Sequence, residues 1–227
     1  MGRLTIINSA LSTKTNPSYL EIGYGHGEVF MGVLCSDKTC CDPLITQIVA
    51  QEGSTNWAIK ENFIKDKNCV SKTSDEFFSE NKKLFDFIFI DGQHEYAFVK
   101  RDFLNAMKFL KEDGCVMLHD CSPPNEWACR PISQFDGLSH WNGDGGYRLI
   151  MELYQHSTEY EWLTSTEDQG CCVVKRGTRT AVKLNGSDWN TFNENRVSIL
   201  NLRPLVHITK QKLEKGWLNS SLIKVNI

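Results

Sequence analysis

The chain has 227 residues, of which 41% are hydrophobic and 23% are charged, a length and composition that allow one globular domain with a full core. Its formal net charge of −3 argues against nucleic acid or an anionic membrane surface as a partner, and no apolar stretch is long enough to span a bilayer. The nine cysteines contain no C-x-x-C pair and follow no secretory signal, so we expect reduced thiols and a cytoplasmic location.

Short apolar runs alternate with amphipathic segments from about residue 18 to residue 118. The apolar runs predict strands at Tyr19–Ile22, Lys38–Cys41, Cys69–Ser71, Phe85–Ile90 and Cys115–Leu118. The amphipathic segments predict helices at Glu28–Leu34, Leu44–Gln51, Trp57–Ile64 and Asp75–Glu80, the last with Ser74 as its N-cap. A further helix, ending at Asp113-Gly114, has an apolar face formed by Val99, Phe103, Met107 and Leu110. This alternation predicts an α/β fold, a doubly wound and mostly parallel sheet with helices on both faces.

The pattern changes after Asp120. Residues 120–146 are rich in Pro, Gly, Ser, Trp and charged side chains, and a loop of this length in a compact domain is typical of a substrate-binding or covering segment. A helix at Tyr147–Gln155 and an antiparallel hairpin of Tyr160–Thr164 and Cys171–Lys175 follow. We therefore expect a single domain over residues 1–227, with a core at about 17–175. Its C-terminal extension, from about residue 178, should hold a helix near Thr191–Leu202.

Three glycines, Gly23, Gly25 and Gly27, occupy alternate positions where the first predicted strand ends. A dinucleotide-binding loop would read G-x-G-x-x-G, and Glu28 occupies the position of its third glycine. Because a carboxylate there would repel a pyrophosphate, the loop argues against NAD or FAD. Glu21, at the end of the strand, is better suited to a cationic group of a ligand. A tight turn that binds nothing is the alternative interpretation of the same glycines.

Polar residues also follow the second and third predicted strands. Asp42 lies nineteen residues after Gly23, the separation at which nucleoside-binding folds place the carboxylate that accepts ribose hydroxyls. Ser74 and Asp75 lie where an adenine ring would come if the ribose bound at Asp42. Helix capping alone would also explain Asp42 and the Ser74-Asp75 pair.

Together these motifs resemble those of the class I S-adenosylmethionine-dependent methyltransferases over about residues 17–175. The segment from Glu21 to Gly27 resembles their first motif, Phe85–Gly92 (FDFIFIDG) their fourth-strand motif, and Leu110–Asp120 (LKEDGCVMLHD) their fifth strand. The resemblance implies a Rossmann-like sheet of seven strands in the order 3-2-1-4-5-7-6, with the last strand antiparallel. It also implies that S-adenosylmethionine is bound by Glu21, Gly23, Tyr24, Gly25, Asp42, Ser74, Asp75 and Asp91.

A narrower resemblance is carried by IDGQHEY, LHD and WNGD, which are similar to motifs of small-molecule and sugar O-methyltransferases. In many members of that branch the residue at position 93 is acidic. Gln93 departs from this pattern, so a metal role at that position is in doubt.

Polar side chains should meet at the ends of the fourth and fifth predicted strands. If these strands are neighbours, their ends lie about 5 Å apart, which brings Asp91 and His94 close to His119 and Asp120. Methyl transfer from a sulfonium to a hydroxyl requires both reacting atoms in line and help in removing the hydroxyl proton. We predict that Asp91, His94 and His119 form the catalytic set, with His94 as the general base. His94 follows Asp91 by three residues, the offset at which metal-dependent catechol-type O-methyltransferases place a basic lysine.

Two alternatives remain for this site. His119 is the second candidate for the base. A divalent cation, Mg²⁺ or Mn²⁺, could instead be held by Asp91 and Asp120, with His119 as a further ligand, and lower the pKa of the hydroxyl.

The long loop supplies the candidate acceptor-binding residues, which are Trp127, Trp141, Asn142 and Asp144. Aromatic faces and hydrogen-bonding side chains are what a sugar ring requires, although the same set would suit a phenol or a folded structural loop.

The sequence therefore predicts methyl transfer from S-adenosylmethionine to a hydroxyl of a sugar or glycan. A phenolic or other small-molecule acceptor is the alternative within this chemistry. A nucleoside-cofactor-binding protein without catalysis and an NAD-type oxidoreductase are the alternatives outside it. We expect a small-molecule or glycan acceptor and neither a nucleic acid nor a membrane partner, and an oligomer remains compatible with the sequence.

Overall fold

The chain is seen in a computed structural model that describes residues 2–45, 69–137 and 140–208. Within these ranges, one sheet is formed by the strands β1 (Ser18–Ile22), β2 (Asp37–Cys41), β3 (Cys69–Val70), β4 (Phe85–Ile90), β5 (Leu110–Leu118), β6 (Tyr160–Ser165), β7 (Cys172–Arg176) and β8 (Leu202–Arg203). The helices are α1 (Gly2–Leu11), α2 (Glu28–Gly32), α3 (Ser74–Glu80), α4 (Tyr96–Lys108), α5 (Gly145–His156), α6 (Trp189–Leu200) and α7 (Leu205–Ile208). The predicted helices at Leu44–Gln51 and Trp57–Ile64 lie wholly or mostly outside the described residues.

The strand order is β3-β2-β1-β4-β5-β7-β6-β8. Strands β1 to β5 pair in parallel, and β7 runs antiparallel to both of its neighbours, β5 and β6. The predicted order 3-2-1-4-5-7-6 with an antiparallel last strand is thus confirmed. One strand was not expected: β8, from the C-terminal extension, pairs in parallel with β6 at the sheet edge.

Helices cover both faces of the sheet, as predicted. The central strand β4 is buried at all six positions, because each of its two faces packs against a different apolar cluster. On one face Ile88 packs with residues of α4, α5 and α6, and on the other Phe87 and Phe89 pack with residues of α1, α2 and α7. No helix in the described part of the chain has the length and apolar character needed to cross a membrane.

Helix α1 had no counterpart among the predicted elements. Its buried residues Ile6, Ile7, Ala10 and Leu11 are spaced as one face of a helix and join the cluster on that side of the sheet. The apolar face of α1 thereby places Gly2 and Arg3 near the carboxyl ends of the central strands.

Several predicted boundaries were wrong, including the end of the helix predicted at Glu28–Leu34, since α2 ends at Gly32. Helix α4 ends at Lys108, and Leu110 is already the first residue of β5, where it pairs with Phe85 of β4. Strand β5 continues through Asp113-Gly114, where its register against β4 shifts. The N-cap of α3 is Thr73 rather than Ser74, because Thr73 and Glu76 form a reciprocal capping box. The helix predicted near Thr191–Leu202 is α6, which ends at Leu200 before Leu202 enters β8.

Candidate active site

The glycine loop lies directly on the end of strand β4. Gly23 has a φ of 92°, and a Cβ at this position would lie 2.2 Å from the carbonyl oxygen of Asp91. Only glycine fits this close approach of two backbones. The loop then leads into α2 through Gly27, so Gly23 and Gly25 lie at the carboxyl end of the parallel strands, where such sheets bind ligands.

Asp42 fastens the same loop to the end of β2. One carboxylate oxygen of Asp42 accepts a hydrogen bond of 2.9 Å from the backbone N–H of Tyr24, and the other accepts one of 2.7 Å from Leu44. The ring of Tyr24 is buried against Phe30. The structure therefore brings Asp42, Tyr24 and the glycines together, as the sequence predicted.

Glu21 lies beneath this loop rather than at its surface. Its side chain is 1% exposed, and its carboxyl group accepts a hydrogen bond of 2.5 Å from the hydroxyl of Tyr19. Burial raises the pKa of Glu21 to about 8, with the negative charge of Asp91 as a further cause. A direct contact of Glu21 with a ligand stays a prediction.

Ser74 and Asp75 are both engaged with helix α4. The Ser74 hydroxyl donates to Asp102 at 2.5 Å, and Asp75 forms an ion pair of 2.9 Å with Arg101. Burial raises the pKa of Asp102 to about 6. These contacts join α3 to α4, and a role of Ser74 and Asp75 beside an adenine ring stays a prediction.

The two aspartates and two histidines predicted at the strand ends do come together. Nδ1 of His94 lies 2.9 Å from an oxygen of Asp120, and Nε2 of His94 lies 3.7 Å from Asp91. Nδ1 of His119 lies 3.1 Å from Asp91 and 3.3 Å from Asp120. Asp120 reaches this position in a left-handed conformation, with a φ of 55°, just after β5 ends. The group of Asp91, His94, His119 and Asp120 is called the strand-end cluster below.

The charges in the strand-end cluster stabilise one another. Burial opposes ionisation of Asp91 and Asp120, but contacts with the two histidines outweigh it and lower both pKa values. Burial likewise opposes protonation of His94, and contact with Asp120 outweighs it and raises the pKa. For His119, contacts with Asp120, Asp168 and Asp91 overcome burial and raise the pKa to about 12. We therefore infer that His94, and not His119, is the more readily deprotonated of the two.

Two residues of this site were missed by the sequence reasoning. Arg3, from α1, contacts Asp91 through Nη1 at 2.9 Å and Asp168 through Nη2 at 2.8 Å. The carbonyl oxygen of Asp168 lies 3.0 Å from Nε2 of His119. The helical spacing of Ile6, Ile7, Ala10 and Leu11 is the signal that could have identified α1, but no local pattern indicates that Arg3 reaches the strand ends.

The long loop folds around a buried arginine. Arg130 is 4% exposed and donates hydrogen bonds to the carbonyl oxygens of Trp127, Gln134 and His140. Its own carbonyl oxygen accepts one of 2.8 Å from the indole N–H of Trp141. The Trp141 ring in turn stacks on His94, with ring centroids 5.4 Å apart and planes 7° apart. The loop therefore supports the predicted base.

Asn142 and Asp144 also hold the site in place. Asn142 is fully buried and donates a hydrogen bond of 2.6 Å to Asp120. Asp144 accepts one of 2.9 Å from the backbone N–H of Tyr96, at the start of α4. Between them, Gly143 has a φ of 67°, and a Cβ there would lie 2.3 Å from the carbonyl oxygen of His94. The WNGD motif thus packs directly against the backbone of His94.

An open cleft of about 920 Å³ lies beside this motif. Its lining includes Glu95, Tyr96, Trp127, Asp144, Tyr147 and Trp189. Trp127 is 56% exposed, and the guanidinium of Arg130 lies 4.6 Å from the centroid of its ring. Of the four predicted acceptor-binding residues, Trp127 and Asp144 line the cleft, whereas Trp141 and Asn142 support the strand-end cluster; contact of any of them with an acceptor stays a prediction.

Comparisons with known proteins agree with this geometry. A family model described as "Methyltransferase domain" matches residues 20–121, which hold the glycine loop and the strand-end cluster. No curated protein sequence matches the chain. Among solved structures, the SAH-bound methyltransferase of Podospora anserina is similar, with a TM-score of 0.51 and 18% identity over 78% of this chain and 77% of that one.

Two bacterial structures have the same fold. A Staphylococcus aureus protein, provisionally described as a caffeoyl-CoA O-methyltransferase, has a TM-score of 0.51 and 18% identity over 77% of this chain and 83% of that one. A Klebsiella pneumoniae protein, provisionally described as an O-methyltransferase, has a TM-score of 0.52 and 12% identity over 78% of this chain and 80% of that one. At these identities the likeness establishes the fold.

Proposed function

We propose that residues 20–121, which match a methyltransferase-domain family model, form a class I, S-adenosylmethionine-dependent methyltransferase domain, as the resemblance of the sequence implied, and that the enzyme methylates a hydroxyl group of a small molecule. The observation that carries the proposal is the strand-end cluster. It places a histidine that can take a proton beside the buried carboxylate of Asp120 and the half-buried carboxylate of Asp91, next to the glycine loop. A protein that only binds a nucleoside has no need of this arrangement.

The loop that holds Gly23 supports S-adenosylmethionine over a dinucleotide. Glu28, in the first turn of α2, would meet a pyrophosphate with negative charge. Asp42, whose carboxylate is oriented by the backbone N–H groups of Tyr24 and Leu44, would accept the ribose hydroxyls. When bound, S-adenosylmethionine supplies a methyl group on a sulfonium sulfur, which is electrophilic without further activation.

His94 would remove the proton of the acceptor hydroxyl. The bound cofactor would give its methyl group to the hydroxyl oxygen and leave as S-adenosylhomocysteine, a methyl ether would be the product, and the hydroxyl proton would pass to the imidazole of His94. Asp120 orients the ring at Nδ1 and stabilises the imidazolium that results. Trp141, stacked on the other side, fixes the plane of the ring. Proximity and orientation supply the rest of the rate enhancement.

The strand-end cluster also fits a divalent cation. Asp91, His94 and Asp120 each offer one atom within 4.8 Å of the others. The Nδ1 atoms of His94 and His119 are buried and have no aligned hydrogen-bond partner, although carboxylate oxygens lie close to both. Mg²⁺ or Mn²⁺ held by Asp91 and Asp120 would lower the pKa of a hydroxyl bound to it. With Asp91 and Asp120 alone as its protein ligands, the cation would leave the ring of His94 available to take the proton.

The cleft beside WNGD would bind the acceptor. The exposed face of Trp127 offers a stacking surface, and Glu95 and Glu126 offer hydrogen-bond acceptors for hydroxyl groups. The two arginines that line the described part of the cleft are both engaged, Arg130 with loop carbonyl groups and Arg148 with Asp144. A neutral polyhydroxylated acceptor, a sugar or glycan, therefore fits better than an anionic one such as a coenzyme A thioester. A neutral phenol is the second candidate, because one indole face suits either ring.

The proposal is tested by screening neutral sugars, glycosides and phenols, with caffeoyl-CoA as an anionic comparison, and measuring the release of S-adenosylhomocysteine. Turnover with a sugar or a phenol, and a methyl ether in the product by mass spectrometry, are expected. Methylation of nitrogen or carbon in place of oxygen would contradict the proposed chemistry. Preference for caffeoyl-CoA would contradict the neutral acceptor alone.

A further inference from the structure

Four side chains form a closed ring of contacts that links the first turn of α1 to the strand-end cluster. Arg3 contacts Asp91 at 2.9 Å, Asp91 contacts His119 at 3.1 Å, and Nε2 of His119 lies 3.0 Å from the carbonyl oxygen of Asp168. Asp168 closes the ring, since its carboxylate accepts from Nε of Arg3 at 3.1 Å and from Nη2 at 2.8 Å. Two members of this ring belong to the proposed catalytic set and two do not.

The fold places Arg3 in this ring with little freedom. The backbone N–H of Arg3 also donates to Asp168, at 2.8 Å. Ile6 and Ile7, just after it in α1, are fully buried and pack with Phe87 and Phe89 of β4. Arg3 is therefore fixed at its backbone by α1 and at its guanidinium by two carboxylates. Their forked arrangement favours arginine over lysine.

Asp168 is held in an unusual backbone conformation. It lies in the turn between β6 and β7, where Asp168 and Gln169 have φ values of 54° and 57° and Gly170 has one of 84°. Left-handed conformations at non-glycine residues are strained and cluster at functional sites. The carbonyl oxygens of Gln169 and Gly170 accept hydrogen bonds of 2.9 and 3.0 Å from Ser122 and Cys121, which docks the turn beside the end of β5. The turn thereby aims both the carboxylate and the carbonyl group of Asp168 at the site.

We propose that Arg3 and Asp168 are positioning residues for methyl transfer: they fix the carboxylate of Asp91 and the ring of His119, and through them the geometry around His94. The inference rests on the proposed function. Without the guanidinium, the carboxylates of Asp91, Asp120 and Asp168 would still surround His119, but one of the positive charges that balance them would be gone. Asp91 would lose the contact that orients its second oxygen, and Asp168 would lose two of its hydrogen-bond donors.

The first test compares Arg3→Met and Arg3→Lys with Lys14→Met. Lys14 is a matched control, because it also joins the N-terminal segment to the sheet by an ion pair, with Asp113, but at the far end of the sheet. We expect Arg3→Met to lower kcat about 10- to 100-fold, the scale of a misplacement of about 1 Å, with the KM of the acceptor changed less than threefold. Arg3→Lys should recover part of kcat, and Lys14→Met should match the wild type. An unchanged kcat in Arg3→Met, or an equal loss in Lys14→Met, would overturn the inference.

The second test needs no turnover and so separates this inference from the proposed function. With Nε2 protonated, the contact between His119 and Asp168 should protect that imidazole proton from exchange and give an NMR signal in the wild type. We expect the signal to broaden or vanish in Arg3→Met and to persist in Lys14→Met. If Arg3→Met does not fold, Asp168→Asn serves instead, because asparagine tolerates the left-handed conformation. A wild-type signal that persists in these variants would refute positioning through Asp168, even in an enzyme that proves active. Failure of every acceptor with the NMR result intact would refute the proposed function alone.

Discussion

Replacing Glu21 by Gln should make the protein less sensitive to alkaline pH. The substitution keeps an oxygen that can accept from Tyr19 and removes a buried ionisable group. In the folded chain the pKa of Glu21 is about 8, against an ordinary value of 4.5. At about 1.4 kcal/mol per pH unit, this interval corresponds to about 5 kcal/mol as an upper bound. Because the unfolded chain loses the proton near pH 4.5 and the folded chain only near pH 8, this group lowers the free energy of unfolding as the pH rises between those values.

The assay is urea denaturation of the wild type and Glu21→Gln at several pH values from 5.5 to 8.5. Any destabilisation caused by the amide itself is the same at each pH. The informative quantity is therefore how the difference in free energy of unfolding between the two proteins changes with pH. We expect the free energy of unfolding of the variant to rise by about 3 kcal/mol relative to that of the wild type between pH 5.5 and pH 8.5. Glu112→Gln, at an exposed carboxyl of β5, is the control and should show no such trend. A difference in free energy of unfolding between the wild type and Glu21→Gln that does not vary with pH would refute the reasoning.

Further predictions concern the cofactor, the base, the cation and the acceptor. Asp42→Asn should weaken S-adenosylmethionine binding about 10- to 100-fold by calorimetry, since a charged hydrogen-bond acceptor is lost, and a change below twofold would contradict its role. His94→Gln should lower kcat at least about 100-fold with cofactor affinity unchanged, and a near-normal rate would remove His94 from the mechanism. Treatment with a chelator should lower turnover and added Mg²⁺ or Mn²⁺ should restore it; unaffected turnover would exclude a role for a divalent cation. Trp127→Ala should raise the acceptor KM about tenfold with kcat retained, and an unchanged KM would move the acceptor out of the cleft.

The parts of the fold that could be predicted are those set by local patterns. The buried run Phe85–Ile90 indicated a central strand, and the alternation around it indicated the parallel sheet, so the meeting of Asp91 with Asp120 followed from topology alone. Strand β8 could not be predicted, because Leu202 and Arg203 continue a helical pattern and form a strand only by pairing with β6.

The site was predictable where its residues follow strand ends and not where they come from distant parts of the chain. Arg3 and Asp168 are 165 residues apart, and only the packing of α1 and the left-handed turn bring them together. For the same reason the sequence could not separate the roles within WNGD. Asn142 and Trp141 look like acceptor-binding residues, yet their observed partners, Asp120 and His94, are set by the folded loop.

S-adenosylmethionine is the proposed ligand of the glycine loop, and calorimetric titration of the purified protein tests this most directly. S-adenosylmethionine and NAD are titrated separately into the same preparation. Because Glu28 in the first turn of α2 would repel a pyrophosphate and Asp42 is the proposed acceptor of ribose hydroxyls, we predict one-to-one binding of S-adenosylmethionine and no binding of NAD. Tight binding of NAD without binding of S-adenosylmethionine would contradict the account.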